Sequence, residues 1–418
     1  MRAATLSLTE RPRPARSQAA LSLLVAGASW PLETSLARLI RGLGDGGATV
    51  TVACAGKPDA HWFSPPRFNW LSLQPSPRFA AVPSIGRAWM AARAILRSPS
   101  DTWWFWRRES GATSLTRRLR AWYWLSSFAG RRWDVIYFPD PEAAFALPPL
   151  FELGCGVVVS AFDGQSRAGD LVSRLGVTSG LPWIFTKATR VHCASDFVMR
   201  RLAEGGVAPD KVVVVPPGVD LEFFCPGAER PSRPEFRIVT TVGSGLSTQG
   251  VEHALLAVQR LKRASVPVRL EMIGDCVGEE RHRVLYTIHD LDLLPDVHLH
   301  GALAADATRR VLRSSDVFVS VGMGEDVSQM ALHAMACGVP VVTGESGATR
   351  ETIAHGAEGL IVPAWNPEAM ARALAGLWTD AVSRRRMGAA ARRRVAATAP
   401  MAADRLLALC RDAAGAAA

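Results

Sequence analysis

Hydrophobic positions in this chain fall into short β-rich runs separated by stretches of helical spacing, from one end to the other. Residues 21–27 form an apolar run of strand length. Residues 31–43 follow, with Leu32, Leu36, Leu39, Ile40 and Leu43 on one helical face and Pro31 at a position suited to a first turn. Asp45, Gly46 and Gly47 close that helix, and residues 48–54 predict the next strand. Further strands are predicted at 134–138, 157–162, 190–193 and 212–215. Strands that alternate with helices predict a parallel sheet covered on both faces.

Residues 215–226 break the rhythm with Pro216, Pro217, Gly218 and Pro226, and the chain stays proline-rich to Pro234, as a linker does. The alternation then restarts. Strands are predicted at 237–243, 268–274, 297–300, 316–320 and 339–342, and helices at 251–263, 304–313 and 327–337. From Pro367 the chain is helical and rich in Arg and Ala, and the arginine triplets at 384–386 and 392–394 are expected on solvated faces. The fold class is therefore α/β with two doubly wound units. They span 1–217 and 236–380, with a linker at 218–235 and C-terminal helices at 381–418.

Composition agrees with this division. A chain of 418 residues holds two domains at about 100–200 residues each. With 48% hydrophobic and 21% charged residues it can bury real cores. No apolar run approaches the ~20 residues of a membrane span. Arg11, Arg13 and Arg16 before residues 21–28 mimic a secretion signal, but the run is short and leads into an amphipathic helix, so a buried first strand is expected. The seven cysteines form no C-x-x-C pair and are expected as reduced core residues of a cytosolic protein, not as a zinc site.

Charge changes the picture more. The net charge is +10, and arginine supplies 44 of the 48 basic residues. Residues 1–217 carry 26 basic and 15 acidic residues, whereas 218–418 carry 22 and 23, so the excess lies entirely in the first half. Residues 87–132 alone hold ten arginines and two acids. Nine of the 13 tryptophans fall between Trp62 and Trp133. Trp103, Trp104 and Trp106 run into Arg107 and Arg108, and Arg117, Arg118 and Arg120 into Trp122 and Trp124. Interleaved Trp and Arg suit a bilayer interface, where indoles sit at headgroup level and guanidinium groups meet lipid phosphates. The segment is therefore expected to be an insertion that meets an anionic membrane surface. Simple packing of these tryptophans on the domain is the alternative, and no nucleic-acid partner is expected.

In open parallel sheets, ligands bind beyond the carboxyl ends of the strands, near helix N-termini. Three places in the second half have that character. Gly243, Gly245 and Gly250 lie between a strand and a helix, where backbone N–H groups can cradle a phosphate. Gly274 and Asp275 end another strand. Gly322, Gly324, Glu325 and Asp326 lead into a helix through Val327 and Ser328.

Here the chain resembles glycosyltransferase family 4, the retaining transferases of the GT-B fold. The likeness rests on residues 331–342, 347–351 and 356–363, with support from 192–197, 215–226, 316–320 and 366–370. It implies two Rossmann-like domains facing a cleft, with a nucleotide-sugar donor on the second and a lipid-linked or saccharide acceptor on the first. No cofactor or metal is implied, and the expected setting is cell-surface polysaccharide or glycolipid synthesis at the cytoplasmic face of a membrane.

The resemblance also places functional residues. Glu325 matches the first of two family glutamates and is implied to contact the donor sugar; the second falls on His333. The family's diphosphate-binding arginine and lysine fall on Ser244 and Gln249, in the loop that starts at Gly243. Two cations are thus absent where the leaving group's negative charge grows, each worth on the order of 100-fold in rate. Gly274, Val327 and Ser328 are further donor-side positions, and His300 with Gly301 matches a loop near the nucleobase. A family histidine falls on Asp163, which suits a catalytic role at the acceptor side or a turn residue before Gly164. The altered positions also admit a relative that no longer catalyses and serves as partner or regulator of an active transferase. Three other groups carry plain readings. His192 is expected to pack within its strand. His298 and His300 share one strand face, without a third ligand to make a metal site. Arg350 and Glu351 are expected to pair or cap at a helix start.

Overall fold

The computed structural model describes residues 20–28, 34–54, 67–73, 92–93, 95–108, 125, 127–161, 183–227, 233–242, 248–320, 328–398 and 401–417. They form two all-parallel sheets. The first comprises β1 (Ser22–Ala28), β2 (Thr49–Cys54), β3 (Phe68–Ser72), β4 (Val135–Phe138), β5 (Gly156–Ala161), β6 (Arg190–Cys193) and β7 (Val212–Val214). Their spatial order is β3-β2-β1-β4-β5-β6-β7. The second comprises β8 (Phe236–Thr241), β9 (Val268–Ile273), β10 (Val297–Gly301), β11 (Val317–Ser320), β12 (Val341–Gly344) and β13 (Gly359–Val362), in the order β10-β9-β8-β11-β12-β13.

Both sheets wind outward from their first strand, then reverse and wind the other way. The reversal falls between β1 and β4 in one and between β8 and β11 in the other. Such a switch point opens a crevice at the carboxyl ends of the two strands. β1 also answers the question of residues 21–28: they are the middle of a sheet, not a surface segment. Leu24 and Ala26 face one core and Leu23 and Val25 the other, all fully buried, as period-2 alternation between two covered faces requires.

Two strands escaped the sequence pattern. β3 mixes Asn69 and Ser72 with its aromatics, and β13 is four residues that open on a glycine. β12 begins at Val341 and not at 339, because Pro340 has no N–H to give the ladder. The cysteines are free thiols, five of the seven buried.

The last helix does not stay with the second unit. Ala402–Ala416 lays Leu406, Leu407, Leu409, Cys410 and Ala413 onto the β1–β4 side of the first sheet, beside Ile40 and Leu43 of helix Thr34–Asp45. Close approach needs small residues: a Cβ on Gly156 would stand 2.5 Å from the Ala413 carbonyl oxygen, and one on Gly42 would stand 2.4 Å from Ala403 Cβ. The preceding helix Ala381–Thr398 packs Met387, Ala391 and Val395 against the second unit. The expected solvation of its arginine triplets is corrected in part. Arg384 turns inward to Asp316 at 3.5 Å. Arg392 donates to the carbonyls of Phe224 at 2.6 Å, Ala336 at 2.8 Å and Leu221 at 2.9 Å. Carbonyls left over at a helix end and in a turn attract a guanidinium with five donors.

Only part of segment 87–132 lies among the described residues. Leu125, Phe128 and Ala129 are buried with Trp133 in the first core. Asp101, on helix Pro99–Arg108, is buried and accepts from Gly130 N and Arg132 Nη1, both at 2.9 Å. By contrast Leu96 is 85% exposed and Trp103 61% exposed. No helix among the described residues is long and apolar enough to cross a membrane.

Candidate functional site

At the switch point of the second sheet, β8 and β11 are hydrogen-bonded neighbours, with Val239 opposite Phe318 and Thr240 opposite Val319. In sequence they lead into residues 243–247 and 321–327. The predicted residues Gly243, Ser244, Glu325 and Val327 lie outside the described residues, as does Asp163 after β5. Gln249 is described only as a backbone position in helix Thr248–Arg263. Of the rest of the predicted donor set, the structure brings Gly274 together with Gly301, next to His300, and sets Ser328 and His333 on one helix.

Gly274 and Gly301 meet beyond the ends of β9 and β10. Gly274 N donates to Gly301 O at 2.9 Å. Gly274 has φ +121°, and a Cβ there would stand 1.8 Å from the Val242 carbonyl oxygen. Only glycine lets these three strand ends close so tightly. Ser328 is the N-cap of helix Gln329–Ala336, and its side chain accepts from Ala331 N at 3.1 Å. That bond holds the N-terminus of a helix whose every residue from Ala331 to Ala336 is buried.

His333 sits in the middle of this helix. Its ring stacks on Phe224 at 3.9 Å between centroids and 11° between planes. Gln329 Nε2 lies 3.0 Å from Gly218 O and 3.3 Å from His333 Nε2. A carbonyl only accepts, so the amide nitrogen faces it, and the same nitrogen makes His333 Nε2 an acceptor. The imidazole proton therefore rests on Nδ1, which is buried with no hydrogen-bond partner among the described residues. Burial, then the Arg38 charge, pushes the His333 pKa down to about 3, so the ring is neutral at pH 7. A buried donor without a partner is the mark of a place where a ligand acceptor belongs.

Arg38 was not singled out in the sequence. It is a polar position on the first helix, and nothing in the spacing says where it reaches. In the structure Arg38 Nη2 pairs with Asp220 at 2.8 Å, beyond the first sheet, and its guanidinium lies 5.2 Å from the Phe223 ring centre. Arg309 faces that ring too, at 4.3 Å. Burial and then Arg41 lower the Arg38 pKa to about 10, which leaves it charged. The units also meet where Glu351 accepts from Phe197 N at 3.1 Å and from Arg200 at 2.6 Å, and the Phe197 ring leaves no room for a side chain at Gly347. Arg350 pairs with Glu345. Arg350 and Glu351 thus pair, as expected.

His192 differs from His333. Val215 O is 3.1 Å from Nε2, which must donate to it, and Nδ1 accepts from Ser160 Oγ at 2.8 Å. Ser160 is also hydrogen-bonded to Tyr137 Oη at 2.8 Å. Burial lowers the His192 pKa to about 4 and raises that of Tyr137. Both nitrogens are satisfied, so His192 packs and does not react. On the second sheet, Glu271 joins His298 and His300, the one set of three metal-ligating side chains close enough to share an ion among the described residues.

Known proteins share the sequence pattern and the fold. A model described as Glycosyltransferase Family 4 matches residues 32–223, and one described as Glycosyl transferases group 1 matches residues 228–394. The D-inositol 3-phosphate glycosyltransferase of Segniliparus rotundus is 30% identical over 190 residues, 44% of this chain and 42% of that relative. A GDP-mannose-dependent alpha-(1-6)-phosphatidylinositol monomannoside mannosyltransferase of Mycobacterium tuberculosis is 29% identical over 221 residues, 50% of this chain and 57% of that relative. The matched region thus spans about half the length of these curated relatives. Sucrose-phosphate synthase of Thermosynechococcus elongatus shares the fold with a TM-score of 0.70 at 19% identity, over 94% of this chain and 99% of that one. With both halves matched and two switch-point sheets arranged as in GT-B transferases, the chain belongs to glycosyltransferase family 4.

Proposed function

We propose that this chain transfers a sugar from a nucleotide-sugar to a lipid-linked or saccharide acceptor, with retention. The bond from the anomeric carbon to the diphosphate breaks, and a bond to the acceptor oxygen forms. The acceptor hydroxyl gives up its proton, and the nucleoside diphosphate leaves. The observation that carries this reading is the second switch point. There β8 and β11 lie side by side, one leading into the glycine-rich stretch from Gly243 and the other into the stretch that holds Glu325. Glu325 serves the donor sugar, and Asp163 works at the acceptor side. Ser244 and Gln249 are uncharged at the positions where the resemblance implies the diphosphate, and Nδ1–H of His333 meets a ribose hydroxyl. Arg38, carried in from the first unit, supplies a cation beside His333. No metal or cofactor takes part in the transfer. The relatives' names support a nucleotide-sugar donor and a phosphoinositide-like or sugar acceptor. Thermal-shift titration with UDP-, GDP- and ADP-sugars tests the donor. A rise in Tm with one of them is expected, and no rise with any of them sinks the reading.

The same reading places the chain at the cytoplasmic face of a membrane, in polysaccharide or glycolipid synthesis, docked through residues 87–132. Support comes from the exposed Ile95, Leu96 and Trp103 and from Arg131, whose pKa is lowered by burial first and then by the like charges of Arg97 and Arg93. Co-sedimentation should be strong with anionic vesicles and weak with neutral ones. Equal binding to both removes the electrostatic part.

A further inference from the structure

We infer that Glu271, His298 and His300 form a binding site for a divalent zinc-like cation that clamps the edge strand of the second sheet. The sequence placed the two histidines on one face of β10 and lacked a third ligand; pairing of β10 with β9 supplies it. His298 is directly opposite Glu271 in the parallel register, and His300, at the irregularity that follows Leu299, brings its ring to the same pair. His300 Nε2 lies 2.8 Å from Glu271 Oε2, and the two imidazole rings meet edge to face at 4.3 Å between centroids. The three donor atoms all lie within 4.8 Å of one another. A tetrahedral zinc with bonds of about 2.0–2.1 Å sets its ligand atoms about 3.4 Å apart, so small side-chain rotations complete the triangle.

The chemistry of the set selects the ion. Two imidazole nitrogens and one carboxylate suit Zn²⁺, Co²⁺ or Ni²⁺, not Mg²⁺ or Ca²⁺, which prefer oxygen. The Glu271 side chain is only 8% exposed and its other oxygen, Oε1, is 3.4 Å from Nε of Arg269, its neighbour on the same strand face, which helps hold the carboxylate in place. His298 is exposed, so the fourth position opens to water and gives the ion a way in. The cation takes the place of the hydrogen bond between His300 Nε2 and Glu271 Oε2. The clamp lies one residue before Gly301, whose carbonyl receives the Gly274 N–H, so it would stiffen that rim of the second sheet. The inference stands on this geometry alone and does not depend on the transferase reading.

The test is zinc binding to the full, ligand-free chain after chelator treatment, by calorimetry with ZnCl₂ and by Co²⁺ absorption. The wild type should bind one Zn²⁺ with a Kd of about 1 μM or tighter and show a rise in Tm. His298→Ala changes an exposed edge residue and should weaken binding at least about 10-fold and abolish the Tm rise, with its metal-free melting curve unchanged. Glu271→Gln should weaken binding similarly. If Glu271→Gln does not fold, the His298→Ala comparison decides alone. Zinc binding that is absent in the wild type, or equal in His298→Ala, overturns the site.

Discussion

The two units each bury an imidazole, and they treat it differently. In the first, His192 donates to Val215 O and accepts from Ser160, so both ring nitrogens are used. In the second, His333 is stacked on Phe224 and accepts from Gln329, but its Nδ1 proton points at no partner among the described residues. A closed network rigidifies a core; an open one costs stability unless a ligand completes it. The difference teaches which buried polar residue belongs to architecture and which to a site, although burial lowers the pKa of both.

The comparison breaks most directly at Glu325. If chemistry belongs to the second unit, Glu325→Ala should lower transfer by about 10²–10³-fold, equivalent to about 2.7–4 kcal/mol of transition-state stabilisation. Activity of the variant within tenfold of wild type, measured with a donor that shifts Tm, would end that assignment. Next comes the closed network itself. His192→Ala leaves a cavity and an unpaired carbonyl at Val215, and should cost about 2–4 kcal/mol in urea unfolding. His333→Ala should cost less stability, about 1–2 kcal/mol, while raising the donor KM about 10-fold. A reversed order of stabilities would mean that the two histidines have been read the wrong way round.

Acid sharpens the contrast further. Both imidazoles have folded pKa values below the ordinary 6.5, at about 4 for His192 and about 3 for His333. Between those values and 6.5 the unfolded chain holds protons that the folded chain refuses. Stability is therefore full above pH 6.5 and falls as pH drops, by about 1.4 kcal/mol per pH unit for each histidine. Urea melts from pH 7.5 to 4.5 should show the slope, and His333→Ala should remove about half of it. An unchanged slope would mean that His333 takes up a proton readily. The smallest effect belongs to the link between units. The Arg38–Asp220 pair is partly exposed, so Arg38→Ala should cost no more than about 1 kcal/mol of stability. A larger loss would show that Arg38 bears on the first core more than on the cleft.

Much of this was legible in the residues themselves. The alternation of apolar runs with helical spacing placed eleven of the strands within a few residues, since a strand buried on both faces must be continuously apolar. It missed β3 and β13, whose polar or glycine-bearing sequences are held by neighbours on a sheet edge. The family likeness led to Gly274 and Gly301, which meet beyond their strands, and to Ser328 and His333, which share a helix. It said nothing of Arg38, because a polar position on a helix looks the same whether it meets water or Asp220.

By itself, the sequence determined the two α/β units, the break between them, the one-sided charge and the family. Those properties are carried by composition, periodicity and short motifs, all of which are local along the chain. Tertiary structure alone decided what depends on residues far apart. It sent Ala402–Ala416 back to the first sheet, turned Arg384 and Arg392 inward, and set Glu271 beside His298 and His300. It also decided that one buried histidine is closed and the other open. Each of these rests on which strands or helices become neighbours, and neighbourhood is fixed by packing of whole faces, which no single stretch of sequence encodes.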